Sequence, residues 1–256
     1  PLIVQRYKAI LAHDPHDEHA LHQLVAMYQQ YRTVGKLEAE YRAQLAKGED
    51  WATLVVLAEL EQRTPAQALA LWKRALAVKP DDALGWLAAG DAETTDARAA
   101  RDAYARAARL ASAPAGKRAA LTKLIRAAQI AGDLATVDQA YAELIALAPN
   151  DGDLWLERGD AQLAAKHFAA AQASFAGAET RLGTDPERRL TAMMDQGIAL
   201  EALGRPDDAI AQYEHTLGQV PSGYYLGQEL VARMVDVDRR RPRALPRAAP
   251  GAAGAR

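Results

Sequence analysis

A repeated segment is the feature of this sequence that most constrains its fold. Residues 80–86 (PDDALGW) resemble residues 149–155 (PNDGDLW). Between such segments the apolar residues recur every three or four positions, which is the spacing of a helix rather than of a strand. Gly132 and Asp133 divide one such unit into two helical halves, since Gly favours a helix end and Asp a helix start. Helical hairpins repeated in this way bury their faces against one another, so the sequence predicts an all-α solenoid.

The repeated unit resembles the tetratricopeptide repeat (TPR), a helix–turn–helix of about 34 residues. The fifth unit carries the resemblance best: Trp155 opens its first helix, Gly159 is the small residue where the two helices cross, and Ala171 and Phe175 follow on the second helix. Other units carry it through Ala58, Trp72, Trp86, Gly90, Tyr104, Leu121, Tyr141, Gly197 and Tyr213. The resemblance implies a right-handed α-solenoid of about six stacked antiparallel hairpins and a terminal capping helix, with a concave face that binds partners.

The domain organisation follows from where the apolar period starts and stops. Tyr7, Ile10 and Leu11 fit the second half of a truncated repeat, and the sequence begins without Met, so we interpret it as a fragment or processed product. We assign residues 1–238 to the solenoid. From residue 239 onward Arg, Pro, Ala and Gly dominate without an apolar period, which predicts a disordered tail over residues 239–256.

Composition and motifs exclude several classes of function. The net charge is −2, so no long-range field attracts nucleic acid, and we expect none as a partner. There is no cysteine for a disulfide or a thiolate metal site. No run of about 18 apolar residues exists to cross a bilayer. No glycine-rich phosphate loop or nucleophile elbow is present, so we expect neither catalysis nor a cofactor.

The predicted function is that of a scaffold or adaptor which holds a peptide or helix in the groove formed by the first helices. Some TPR proteins bind the C-terminal carboxylate of a partner in this groove. Here the first helices carry Glu59, Asp91 and Asp160, whose negative charges would repel such a carboxylate. Two alternatives stay open: an auxiliary or regulatory domain of a larger enzyme or complex that packs intramolecularly, and self-association through an exposed end. The residues projected onto the groove are His22, Gln29, Val55, Glu59, Asp91, Thr122, Arg126, Leu156, Asp160, Met194 and Ile198.

Two further clusters have an ordinary interpretation beside a functional one. His13, His16, His19 and His22 suit zinc or nickel chemically, but their spacing runs across a linker into a helix start, so we predict surface polarity and no metal site. The tail arginines are suited to phosphate or an acidic protein, although a solubilising role is the simpler interpretation. They are Arg239, Arg240, Arg241, Arg243 and Arg247.

Overall fold

The computed structural model describes residues 2–31, 33–183 and 185–240, which contain fourteen α-helices and no strand. Six hairpins pair the helices from α2 to α13 in order, α1 precedes them and α14 follows. The bounds are α1 Leu2–His13, α2 Glu18–Gln30, α3 Val34–Leu45, α4 Trp51–Leu60, α5 Pro65–Val78, α6 Ala83–Ala92, α7 Ala97–Leu110, α8 Pro114–Ala131, α9 Leu134–Leu147, α10 Gly152–Ala164, α11 Phe168–Arg181, α12 Pro186–Ala202, α13 Pro206–Leu217 and α14 Leu226–Arg240. The predicted all-α repeat architecture is confirmed.

The helices group into two compact units, unit 1 (Pro1–Ala148) and unit 2 (Pro149–Arg256). Unit 1 contains α1 and the first four hairpins, and unit 2 contains the last two hairpins and α14. Helix α14 ends at Arg240, so Arg239 and Arg240 are helical rather than part of a disordered tail. The rest of the predicted tail, residues 241–256, lies outside the described residues. None of the described helices is long and apolar enough to cross a membrane.

Aspartates fix where many of the helices begin. In six helices the N-cap Asp side chain accepts a backbone N–H of the first turn, which satisfies a donor that the helix itself leaves unpaired. The six are Asp17, Asp50, Asp82, Asp96, Asp133 and Asp185. At the predicted turn of the fourth hairpin, Gly132 adopts φ 72° and ends α8, and Asp133 starts α9. The boundary residues named from the sequence therefore have the expected roles.

Glycines in first helices make room for aromatic rings from second helices. A Cβ at Gly90 would lie 2.5 Å from Tyr104 Cε1, and one at Gly159 would lie 2.5 Å from Phe175 Cε1. Gly197 meets Tyr213 in the same way. Phe175 and Tyr213 are fully buried by this packing. The close approach of the two helices, inferred above for Gly159, is thus the repeated core contact of three hairpins.

The repeated segments form one local structure twice. Trp86 Nε1 donates to the Pro80 carbonyl at 2.9 Å, and Trp155 Nε1 donates to the Pro149 carbonyl at 3.2 Å. The guanidinium of Arg106 covers the Trp86 ring at 4.5 Å from its centroid, and that of Arg181 covers Trp155 at 4.4 Å. In both places the indole contacts the linker before the hairpin through its N–H and an arginine of the second helix, α7 or α11, through its ring face.

Candidate partner-binding groove

A groove of about 810 Å³ in unit 1 is the candidate site. It is bordered by α2, α4 and α6, the first helices of three successive hairpins, and by the linker before α2. Its size lies in the range of protein pockets that enclose a ligand, about 300–1,000 Å³. The lining residues are Pro15, His16, Glu18, His19, Leu21, His22, Val25, Glu59, Gln62, Leu84, Leu87, Ala88 and Asp91.

The groove combines apolar and acidic side chains. Its apolar part comes from α2 and α6 and consists of Leu21, Val25, Leu84, Leu87 and Ala88. Leu84 is 50% exposed, so part of this apolar surface meets solvent. Three carboxylates, three histidines and no Lys or Arg occur among the described lining residues. Apolar contacts can therefore anchor a ligand here while the carboxylates select its charge.

Glu59 lies in a poor environment for a negative charge. Burial raises its pKa, and the nearby carboxylates of Glu18 and Asp91 raise it further. The Gln62 amide donates a hydrogen bond to the Glu59 carboxylate and partly offsets this effect, as does the proximity of His16. The groove thus holds a half-buried acid whose charged form gains from any added cation.

Asp91 already has partners from the chain. Lys123 Nζ lies 2.5 Å from both Asp91 oxygens, and Tyr104 Oη donates to one of them at 2.9 Å. Burial and the bond to Asp91 both raise the pKa of the Tyr104 hydroxyl, so it remains a donor. Asp91 is therefore positioned by the third and fourth hairpins.

His16 has a structural contact rather than a free ring. Its Nε2 lies 3.0 Å from both oxygens of Asp82, and because a carboxylate only accepts, Nε2 carries the proton. Asp82 also accepts from Trp51 Nε1 at 3.1 Å and from the Gly85 N–H at 2.9 Å. Burial would raise the pKa of Asp82, but these hydrogen bonds outweigh it and lower the pKa. The imidazole also stacks on Trp72, with the rings parallel within 1°.

The remaining histidines of the cluster lie at the surface. His13, His19 and His22 are exposed, and no group of three potential ligands within the described ranges could hold an ion. The bond from His16 to Asp82 explains why this histidine differs from the rest of the cluster.

The structure brings three of the predicted contact residues to the groove of unit 1: His22, Glu59 and Asp91. Gln29 on α2 and Thr122 and Arg126 on α8 are exposed, but they do not line it.

Val55 requires a correction, because it is fully buried in the core of unit 1. All residues from 52 to 58 of α4 are buried, and α4 lines the groove through Glu59, near its C-terminal end. A surface contact through Val55 was a wrong prediction.

In unit 2 the predicted residues lie on α10 and α12. Leu156 is only 7% exposed and packs in a core cluster with Phe175 and Ala192, so its assignment to the surface was also wrong. Asp160 is exposed, and Met194 and Ile198 are half-buried against a second cluster.

Asp195, which the sequence analysis missed, is the most perturbed acid of this region. Burial raises its pKa to about 7, the charge of Asp160 adds to this, and Arg233 opposes it. A lone acid in the apolar stretch AMMDQGIAL was the available signal.

Helical hairpins that follow one another along the chain, with glycine–aromatic crossings in three of them and a groove on first helices of unit 1, define a TPR-like helical repeat fold. No family model and no curated protein matches the sequence. Solved structures do match. One is YrrB, described as a TPR protein with an unusual peptide-binding site, at 15% identity and a TM-score of 0.50, covering 77% of this chain and 97% of that one. Another is MamA, at 15% identity and a TM-score of 0.47, covering 66% and 91%. PilF of Pseudomonas aeruginosa matches at 17% identity and a TM-score of 0.44, covering 84% and 96%. The likeness to YrrB establishes the fold.

Proposed function

We propose that this chain is a protein-interaction scaffold and that the groove of unit 1 holds a segment of a partner protein. The observation that carries the proposal is the groove itself, which the first helices of three successive hairpins build from apolar side chains and carboxylates. A groove of this kind binds through a few apolar anchors, with polar contacts that set orientation. YrrB, which shares the fold, is described as having a peptide-binding site.

The proposal is tested with a variant that alters the groove without disturbing the core. Leu84→Glu with Leu87→Glu places two charges on the apolar surface of α6. Ile130→Glu is the matched control, because Ile130 is 71% exposed on α8 and does not line the groove. We expect affinity capture from a lysate of the source to yield a protein that the wild type and Ile130→Glu both retain and the groove variant loses. Circular dichroism must show that all three are equally helical.

Two results would contradict the proposal. Equal capture by all three proteins would place the contact outside this groove. Failure of the wild type to capture any protein would favour the alternative of an auxiliary domain whose groove packs intramolecularly.

A second candidate surface is formed in unit 2 by Asp160, Met194 and Ile198. Its apolar members are half-buried and its acid is exposed. Asp160→Lys, which reverses an exposed charge, is expected to reduce capture of a partner that contacts this face, and unchanged capture would remove the face from the proposal.

A further inference from the structure

The charges of the groove indicate what kind of segment it takes. Among the described residues that line it, Glu18, Glu59 and Asp91 are acidic and none is Lys or Arg. The whole chain has a net charge of only −2, so this local excess of negative charge is not a property of the surface as a whole.

We propose that the groove of unit 1 selects a protein segment in which a lysine or arginine is flanked by apolar side chains. This inference rests on the proposed function and specifies the chemistry of the partner at the same site.

Glu59 is the first reason. The Gln62 amide, a neutral donor three residues further along the chain, donates a hydrogen bond to its carboxylate. Burial and the charges of Glu18 and Asp91 disfavour its ionised form, as the raised pKa shows. A cation placed between these carboxylates would form charge-assisted hydrogen bonds and relieve their mutual repulsion.

The chain itself supplies an example of the interaction. Lys123 reaches from α8 and places its ammonium 2.5 Å from both oxygens of Asp91. This ammonium satisfies Asp91 and leaves Glu18 and Glu59 for a second cation. The pair shows that an acid of this groove can bind a lysine ammonium.

The apolar side chains beside the acids define the flanks of the segment. Leu21 and Val25 on α2 and Leu84 and Leu87 on α6 border the same groove as Glu59. Because Leu84 is half exposed, a partner that covers it removes apolar surface from water, which favours binding. A segment with a basic residue between apolar ones matches both parts of the groove, whereas an acidic segment or a free C-terminal carboxylate meets like charge.

The test is selection of a random-peptide phage library on the wild type, followed by fluorescence anisotropy with the most enriched peptide. We expect the selected peptides to be enriched in Lys or Arg beside apolar residues. Replacing the basic residue of the peptide by Gln is expected to weaken binding about tenfold. The protein variant Glu18→Gln with Glu59→Gln is expected to weaken binding by the same factor. The control Glu49→Gln with Asp102→Asn makes the same change in net charge at exposed positions outside the groove and should leave affinity unchanged.

The outcomes separate this inference from the proposed function. Peptides that need Leu84 and Leu87 but show no enrichment in Lys or Arg would overturn the charge preference and leave the groove as a binding site. An equal loss of affinity in the control would also overturn it, because the effect would then come from overall charge. If the variant Leu84→Glu with Leu87→Glu binds every selected peptide as tightly as the wild type, both the charge preference and the proposed function of the groove are contradicted.

Discussion

Gly159→Ala tests the glycine–aromatic crossing with a single methyl group. In the fifth hairpin a Cβ at Gly159 would lie 2.5 Å from Phe175 Cε1 and 2.6 Å from Cδ1. Ordinary carbon contacts begin near 3.4 Å, so the ring must move by about 1 Å. Phe175 is fully buried in a cluster with Leu156 and Ala178, which leaves it little space to move.

Two opposing effects set the size of the change in the free energy of unfolding. Overpacking of a filled core costs about 1–3 kcal/mol, and a contact this short belongs at the upper end of that range. Alanine gains about 1 kcal/mol over glycine in the interior of a helix. We therefore expect Gly159→Ala to destabilise the protein by about 1–2 kcal/mol, although the same substitution stabilises most helices.

Urea denaturation followed by circular dichroism measures this difference. The control is Gly227→Ala in the same unit, where a Cβ would meet Leu217 at 3.6 Å, an ordinary contact, and we expect no loss of stability. In a Phe175→Leu background the ring is gone, and Gly159→Ala should then be neutral or stabilising, with a coupling of about 2 kcal/mol. The reasoning is refuted if Gly159→Ala costs the same in both backgrounds.

Three further predictions concern charge and backbone. The Asp195 carboxyl has a pKa of about 7 in the folded protein against 3.8 as its ordinary value, so its ionisation destabilises the fold progressively as pH rises from about 4 to 7 and fully above that. Asp195→Asn should therefore stabilise the protein more at pH 8 than at pH 5, by about 1 kcal/mol after allowing for partial exposure. Urea denaturation at the two pH values measures this, and equal effects of Asp195→Asn at both would contradict it. Asp82→Ala removes the acceptor shared by His16, Trp51 and the Gly85 N–H and should lower the free energy of unfolding by about 2–4 kcal/mol. Thermal denaturation measures this change, and an unchanged midpoint would contradict the prediction. Gly132→Ala forces φ 72° on a residue with a Cβ and should cost about 1 kcal/mol by the same assay, a cost that would be absent if the turn relaxed.

Local signals in the sequence predicted the hairpins because each depends on neighbours within one unit. Gly132 and Asp133 mark a turn through their own conformational and capping preferences, and Gly159 anticipates Phe175 because both belong to one hairpin. Val55 and Leu156 were misassigned because helical spacing gives a direction around the helix axis but not the number of neighbours that cover it. In α4 an uninterrupted apolar or small stretch, residues 52–58, is enclosed on all sides, so a projection onto one face had no polar boundary to follow.

Contacts between residues of different hairpins could not be predicted from the sequence. His16 and Asp82 are 66 residues apart, and nothing in either segment indicates that they meet. Two of the three acidic residues of the groove, Glu59 and Asp91, were predicted, because helical spacing on the first helices places them on its face. Their apolar neighbours Leu84 and Ala88 were not, since leucine and alanine are abundant throughout the chain and only packing distinguishes the exposed ones.

The indole of Trp155 gives the protein a built-in optical label. It is the one tryptophan in residues 149–256, whereas Trp51, Trp72 and Trp86 belong to residues 1–148. Its Nε1 is bound to the Pro149 carbonyl and its face lies under the Arg181 guanidinium, so loss of structure in unit 2 exchanges both contacts for water and changes its emission. The difference between the fluorescence of the wild type and of Trp155→Phe therefore isolates one unit. Comparing the melting of this difference signal with that of Trp155→Phe, whose emission comes from unit 1, tells whether the two units lose their structure together or one after the other.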